Sequence, residues 1–131
     1  MNLPTQNALA RYGAVKVTTA SPGNLLVLLY EGLLRFLREA QVAMQANERA
    51  RAGERLGRAQ AILHHLLGSL DKAQAPALCE NLQSLYVFSM GHLLKANVEQ
   101  KPEKIADVIR VLTPLRDAWV TAVAQVSGQE K

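Results

Sequence analysis

The chain has 131 residues and a formal net charge of +4; 49% of its residues are hydrophobic and 20% are charged. This length suits one domain with its own core, and the composition excludes an intrinsically disordered chain. The charge is mild and favours acidic surfaces only weakly.

The sequence also indicates where the protein is found. No apolar run reaches about 18 residues, so no stable membrane insertion is expected. The start, "MNLPTQNALARYGAV", lacks the pattern of a secretory signal, and the single cysteine, Cys79, cannot form an internal disulfide. These features together predict a cytoplasmic protein.

Residues 1–20 are predicted to be a flexible N-terminal arm, and the first helix follows over residues 22–46. Ser21 is a favoured N-cap, and Pro22 is tolerated in the first turn because its missing N–H would be unpaired there anyway. Apolar residues spaced by three and four form its inner stripe: Leu26, Leu29, Leu33, Phe36 and Ala40.

The second helix is predicted over residues 48–73, with Asn47 as its cap. It ends before Pro76, because proline disfavours helix at the preceding residue. Its inner stripe has the same spacing: Leu56, Ala59, Leu63, Leu66 and Leu70.

The third and fourth helices are predicted over residues 76–98 and 102–126, followed by a tail at 127–131. The third has the inner stripe Leu78, Leu82, Leu85, Ser89, Leu93 and Ala96. In the fourth, the apolar stripe keeps its phase across Pro114, which predicts a kinked helix or a tight restart capped by Thr113.

Four helices joined by short turns predict an all-α fold, an antiparallel up-down-up-down four-helix bundle spanning residues 21–126. The spacing of three and four residues favours shallow crossing angles between neighbouring helices.

No catalytic, cofactor-binding or metal-binding site is expected. His64 and His65 are adjacent and point to different sides of a helix, and there is no Glu-x-x-His pair or glycine-rich phosphate loop. A basic stretch at Arg49–Arg58 raises the alternative of a weak nucleic-acid binder. Since Glu48 and Glu54 interrupt it, a solvated helix start is favoured and no nucleic-acid partner is expected.

Two helices carry more apolar residues than one inner stripe can hold. The surplus residues again step by three and four, so each set shares a flank: Val27, Tyr30 and Leu34 in the first helix, and Val87, Met90, Leu94 and Val98 in the third. Such a surface favours a partner, either an amphipathic helix or an extended peptide. Flank positions that simply widen the core, and the arm folding over the stripe, remain open alternatives.

Seven short motifs occur in order between about residues 10 and 122: "TASP" at 19–22, "LLYEGLLRFL" at 28–37, "RAQAIL" at 58–63, "SLD" at 69–71, "LQSLYVF" at 82–88, "LLKAN" at 93–97 and "LRDAW" at 115–119. In this order and spacing the chain resembles the FliS-type flagellar export chaperones.

The resemblance implies a cytoplasmic bundle that binds the disordered C-terminal segment of flagellin. Such a chaperone would prevent premature polymerisation and deliver flagellin to a gate component of the flagellar type III export apparatus. It also implies that Tyr12, in the arm, is a displaceable cover of the groove, and it supports Tyr30 as a motif position. The other flank residues remain hypotheses from the helical wheel.

The alternative to a flagellin chaperone is a self-associating structural or adaptor bundle. In that case the surplus stripes of two copies would meet in a homodimer.

Overall fold

The computed structural model describes residues 22–130 of the chain, with side chains as far as Val126. Within this range the chain forms four helices and no strand: α1 (Pro22–Gln45), α2 (Arg49–Gly68), α3 (Pro76–Glu99) and α4 (Pro102–Glu130). The predicted all-α four-helix bundle is confirmed. The arm at residues 1–20, its Tyr12 and the Ser21 cap lie outside the described residues.

The four helices pack in a ring around one core. Helix α1 packs along α2 and α4, and α3 packs along the same two helices, while the backbones of the diagonal pairs stay more than 8 Å apart between Cα atoms in the described bundle. Each helix therefore buries a sector wide enough to meet two neighbours and leaves its outer side to solvent.

Two tight turns close one end of the bundle. Asn47 and Gln100 have left-handed backbones, with φ of 60° and 54°, a conformation that commonly ends helices. Beyond them, the N–H of Glu48 donates to Ala43 O at 2.8 Å and that of Lys101 donates to Ala96 O at 3.0 Å. Asn47 therefore terminates α1, whereas the sequence predicted it as the N-cap of α2.

Helix α2 ends at Gly68, earlier than the predicted end at residue 73. The Ser69 hydroxyl donates to Leu66 O at 2.9 Å, and Asp71 Oδ1 accepts the N–H of Ala73 at 3.2 Å. These side-chain bonds replace the helical pattern with a turn. The Pro76 signal therefore marks the start of α3 but not the end of α2.

Helix α4 continues through Pro114 and reaches Glu130, beyond the predicted end at residue 126. The Thr113 hydroxyl donates to Ile109 O at 2.7 Å, one turn back within the same helix. Thr113 therefore lies within α4 and does not cap a new helix. Of the two predicted alternatives, the restart with Thr113 as cap is wrong.

The core confirms the inner stripe of α2 from Leu56 to Leu66 and corrects that of α1. In α1 the buried side chains are shifted from the predicted stripe towards the flank that holds Tyr30 and Leu34: Tyr30, Leu33, Leu34, Leu37, Ala40, Ala43 and Met44. Leu26, Leu29 and Phe36 are only partly buried against this core. The wheel placed Tyr30 and Leu34 on an outer flank. That placement is wrong, because packing between α2 and α4 buries both sides of the stripe.

No helix in the described part of the chain is both long enough and apolar enough to cross a membrane.

Candidate functional site

The outer side of α3 carries an exposed apolar stripe. Val87, Leu94 and Val98 are 53%, 62% and 80% exposed, and their spacing of seven and four residues places them on one face of the helix. We call these three residues the α3 stripe. Met90, predicted to lie with them, is partly buried and packs against the core instead.

The α3 stripe is open to an incoming chain. Gly91 is exposed between Val87 and Leu94, and a Cβ added there would meet no atom within 4 Å. Beneath the stripe, Gln60 Nε2 of α2 donates to Met90 O at 3.0 Å and ties the two helices together. The stripe therefore lies on a fixed backbone with free space above it.

An open groove of about 660 Å³ continues the stripe towards the connection between α2 and α3. Its lining combines Val87 and Phe88 with polar side chains: Lys72, Glu80, Gln83 and Ser84. Phe88 is half exposed and stacks on His92 at a centroid distance of 5.0 Å. Sequence reasoning did not select Phe88, although its position after Val87 in "LQSLYVF" was the available signal.

A second group of exposed apolar side chains lies at the end of the bundle where α1 begins and α4 ends. Leu25 and Leu28 of α1 and Val120 and Val126 of α4 are exposed. We call these four residues the end patch. Helices α1 and α4 are joined beside it by the Arg116–Glu31 ion pair at 3.0 Å. In the sequence, the unbroken apolar run from Leu25 to Tyr30 indicated the α1 residues of the end patch.

The structure thus separates the residues predicted to bind a partner. Val87, Leu94 and Val98 lie together on the surface, Val27 and Met90 are partly buried, and Tyr30 and Leu34 are inside. The two predicted flanks do not form one continuous track, because α1 and α3 are diagonal in the ring.

Tyr30 has a structural environment of its own. Its hydroxyl shares a 2.6 Å hydrogen bond with the hydroxyl of Tyr86, and its ring lies 6.5 Å from that of Trp119. Burial is the main cause that raises the pKa of both phenols above the ordinary value. Both therefore stay neutral at physiological pH, as core residues that join α1, α3 and α4.

The most connected charged group between α3 and α4 is Asp107. His92 Nε2 lies 2.9 Å from its Oδ2, and Arg110 pairs with its other oxygen. The hydrogen bond from His92, followed by the charge of Arg110, holds the pKa of Asp107 below its usual range. Among the described residues no group of histidine, cysteine and acidic side chains could hold a metal ion.

Comparisons with known proteins point to one family. The family model described as flagellar protein FliS matches residues 5–126. The flagellar secretion chaperone FliS of Bacillus subtilis is 32% identical over 118 residues, covering 90% of this chain and 87% of the relative. That of Campylobacter jejuni is 33% identical over 116 residues, covering 87% and 91%. A crystal structure of a flagellar chaperone from bacteria shares the fold, with a TM-score of 0.75 at 20% identity, covering 93% of this chain and 99% of that one.

Proposed function

Because the chain belongs to the family of the flagellar protein FliS, we propose that it is a flagellar secretion chaperone that binds the C-terminal segment of flagellin. It holds flagellin unpolymerised in the cytoplasm and delivers it to the flagellar export apparatus. Its relatives from Bacillus subtilis and Salmonella typhimurium are named flagellar secretion chaperones. The mechanism is sequestration, without covalent chemistry.

The observation that carries the proposal is the α3 stripe. Three large apolar side chains on one helix face, each more than half exposed, are costly to leave in water and favour an apolar ligand. Ordering a disordered segment costs on the order of 1–2 kcal/mol per residue in backbone entropy. A long contact with repeated apolar anchors is therefore needed, and the stripe with its groove provides a linear series of them.

The end patch supplies a second contact area for the same segment. It lies on α1 and α4, so a ligand that touches both areas has to pass around the bundle rather than along one groove. We propose Val87, Leu94 and Val98 as primary contacts, with Met90 at their margin and Val27 beside Leu28 in the second contact area on α1. Tyr30 and Leu34 then act by maintaining the bundle, and Tyr12 stays a proposed cover.

The test is a calorimetric titration of the protein with the C-terminal segment of the flagellin from the same genome. Leu94→Glu should weaken binding about tenfold or more, because the carboxylate would lose water under the ligand. Val42→Glu is the matched control, since Val42 is equally exposed but lies on α1, diagonal to α3. It should bind like the wild type.

Two results would contradict the proposal. Equal loss of affinity in both variants would show that the added charge acts at long range and not in the α3 stripe. A tight homodimer in light scattering that ignores the flagellin segment would favour the self-associating bundle instead.

A further inference from the structure

Helices α1 and α2 carry six arginines and no lysine: Arg35, Arg38, Arg49, Arg51, Arg55 and Arg58. Three of them already have partners within the protein. Arg35, Arg55 and Arg58 lie 4.9–5.9 Å from the ring centre of Phe36. The same three pair with two acidic side chains, Glu39 and Glu54.

Of the other three arginines, Arg49 lies on the side towards α3, where it lines a depression with Gly53 and Asn97, and the remaining two are available. Arg38 and Arg51 are exposed and form no hydrogen bond or ion pair with any side chain between residues 22 and 126. They line an open depression of about 220 Å³ together with Val42 and Glu39. Val42 is 66% exposed. Glu39 does not neutralise them, because its carboxylate is held by Arg55 at 3.1 Å.

We propose that this surface, the arginine patch of Arg38, Val42 and Arg51, docks an acidic segment of a partner protein. The segment places one apolar side chain against Val42 and carboxylates against the two guanidinium groups. Guanidinium presents a planar fork of N–H donors that matches a carboxylate in two parallel hydrogen bonds, and arginine is therefore favoured over lysine at such contacts.

A nucleic acid fits this surface less well. Single strands are held by aromatic side chains on which bases stack, together with an uninterrupted basic groove. The aromatic residue here, Phe36, already has three guanidinium groups around its ring. Glu39 and Glu54 interrupt the row of arginines, so the surface offers no continuous basic groove for a phosphate backbone.

The arginine patch is independent of the α3 stripe. Arg38 and Val42 belong to α1, which is diagonal to α3 in the described bundle, with its backbone more than 8 Å from that of α3. An acidic partner can therefore bind while the α3 stripe is occupied. The inference does not rest on flagellin binding, since it follows from unpaired charge on the opposite side of the molecule.

The test uses a fluorescent amphipathic peptide of leucine and glutamate, and a second peptide with glutamine in place of every glutamate. Anisotropy titrations of the full chain are expected to show salt-sensitive binding of the acidic peptide only. Arg38→Glu/Arg51→Glu should weaken it by roughly tenfold or more, the combined effect of two exposed ion pairs turned into repulsions. Val42→Ser should also weaken it, with little change in salt dependence.

Lys72→Glu/Lys95→Glu is the matched control. It makes the same change in net charge at two exposed lysines outside the arginine patch and should bind the acidic peptide nearly as the wild type does. Circular dichroism checks that all variants stay folded, and Leu94→Glu should leave this binding unchanged.

Three outcomes would overturn the proposal. One is the absence of binding to the acidic peptide by the wild type. Another is an equal loss in the arginine and lysine variants, which would mean that net charge alone attracts the peptide. The third is tighter binding of single-stranded oligothymidine than of the peptide, again lost on Arg38→Glu/Arg51→Glu, which would identify a nucleic-acid surface.

Discussion

The hydroxyl pair of Tyr30 and Tyr86 shows how a polar atom is accommodated inside an apolar bundle. The two hydroxyl groups are hydrogen-bonded to each other at 2.6 Å. One shared hydrogen bond therefore accommodates two buried polar groups. Removing one hydroxyl leaves its partner buried without that bond, whereas removing both leaves an apolar contact of nearly the same shape.

We therefore expect Tyr30→Phe and Tyr86→Phe to lower the free energy of unfolding by about 1–3 kcal/mol each. The double variant should lose no more than either single variant. Urea denaturation followed by Trp119 fluorescence measures all three in a double-mutant cycle. Ser84→Ala, which removes an exposed hydroxyl, should be neutral. Additive losses in the double variant would show that the two hydroxyls act independently.

The stability of the folded protein is expected to depend on pH through Asp107. Its pKa is lowered in the folded protein by His92 and Arg110, so the folded state favours the carboxylate. This stabilisation is present above the unfolded pKa of about 3.9 and is lost as the pH falls through the lower folded value. Asp107→Asn should therefore reduce the urea midpoint at neutral pH, and its difference from the wild type should shrink in strong acid.

The control for Asp107 is Glu80→Gln, an exposed side chain of α3 without a charged partner in the described range. Its midpoint should follow the wild type across the same pH series. The difference in urea midpoint between Asp107→Asn and the wild type could instead stay constant down to strong acid. In that case the loss of stability would come from the shape of the side chain and not from its charge.

At the scale of elements, helix α4 tolerates a residue that usually interrupts a helix. Pro114 lies inside α4 and is exposed. Proline removes the N–H that would bond to the carbonyl of Arg110 and crowds that turn. Packing of Ile105, Val108 and Leu112 before it, and of Leu115 and Trp119 after it, holds the helix on both sides of the interruption.

Pro114→Ala should therefore stabilise the protein, by up to about 3 kcal/mol in the free energy of unfolding, the difference in helix propensity between the two residues. Ala118→Gly, an exposed site one turn on, should destabilise it by about 1 kcal/mol and calibrates propensity in the same helix. A destabilised Pro114→Ala would show instead that the backbone at this proline is needed to seat Trp119 against the core.

Helices α1 and α3 also show what the sequence could predict. The number of helices, their approximate limits and the exposure of Val87, Leu94 and Val98 followed from spacing. The rotation of α1 did not, because a helix between two neighbours buries a sector wider than one stripe. Tyr30 and Leu34 lie in that sector, and only the tertiary contacts with α2 and α4 show it is buried. The partner of the Tyr30 hydroxyl, Tyr86, is 56 residues away in the chain, so spacing within α1 could not reveal the pair.

At the scale of the whole molecule, the two ends of the bundle differ. One end is closed by the tight turns at Asn47 and Gln100. The other holds the connection at 69–75, the start of α1 and the last turns of α4. No side chain of α1 before Tyr30 is fully buried, and none of α4 after Leu112 is, as far as Val126. Few buried contacts mean a low cost of local opening.

Hydrogen exchange of the free protein should therefore be uneven along single helices. Amides at 33–44 and 105–112 should exchange slowly, near the rate set by global unfolding, and those at 22–28 and 120–130 much faster. Residues 63–66 and 79–86 provide the control, because they lie towards the same end but contain fully or largely buried side chains, Leu63, Leu66, Cys79, Leu82 and Tyr86. They should stay protected, since ordinary end fraying would affect all four helices alike. Equal protection of 105–112 and 120–126 would contradict this gradient, because it would require the end patch to be covered in the free protein.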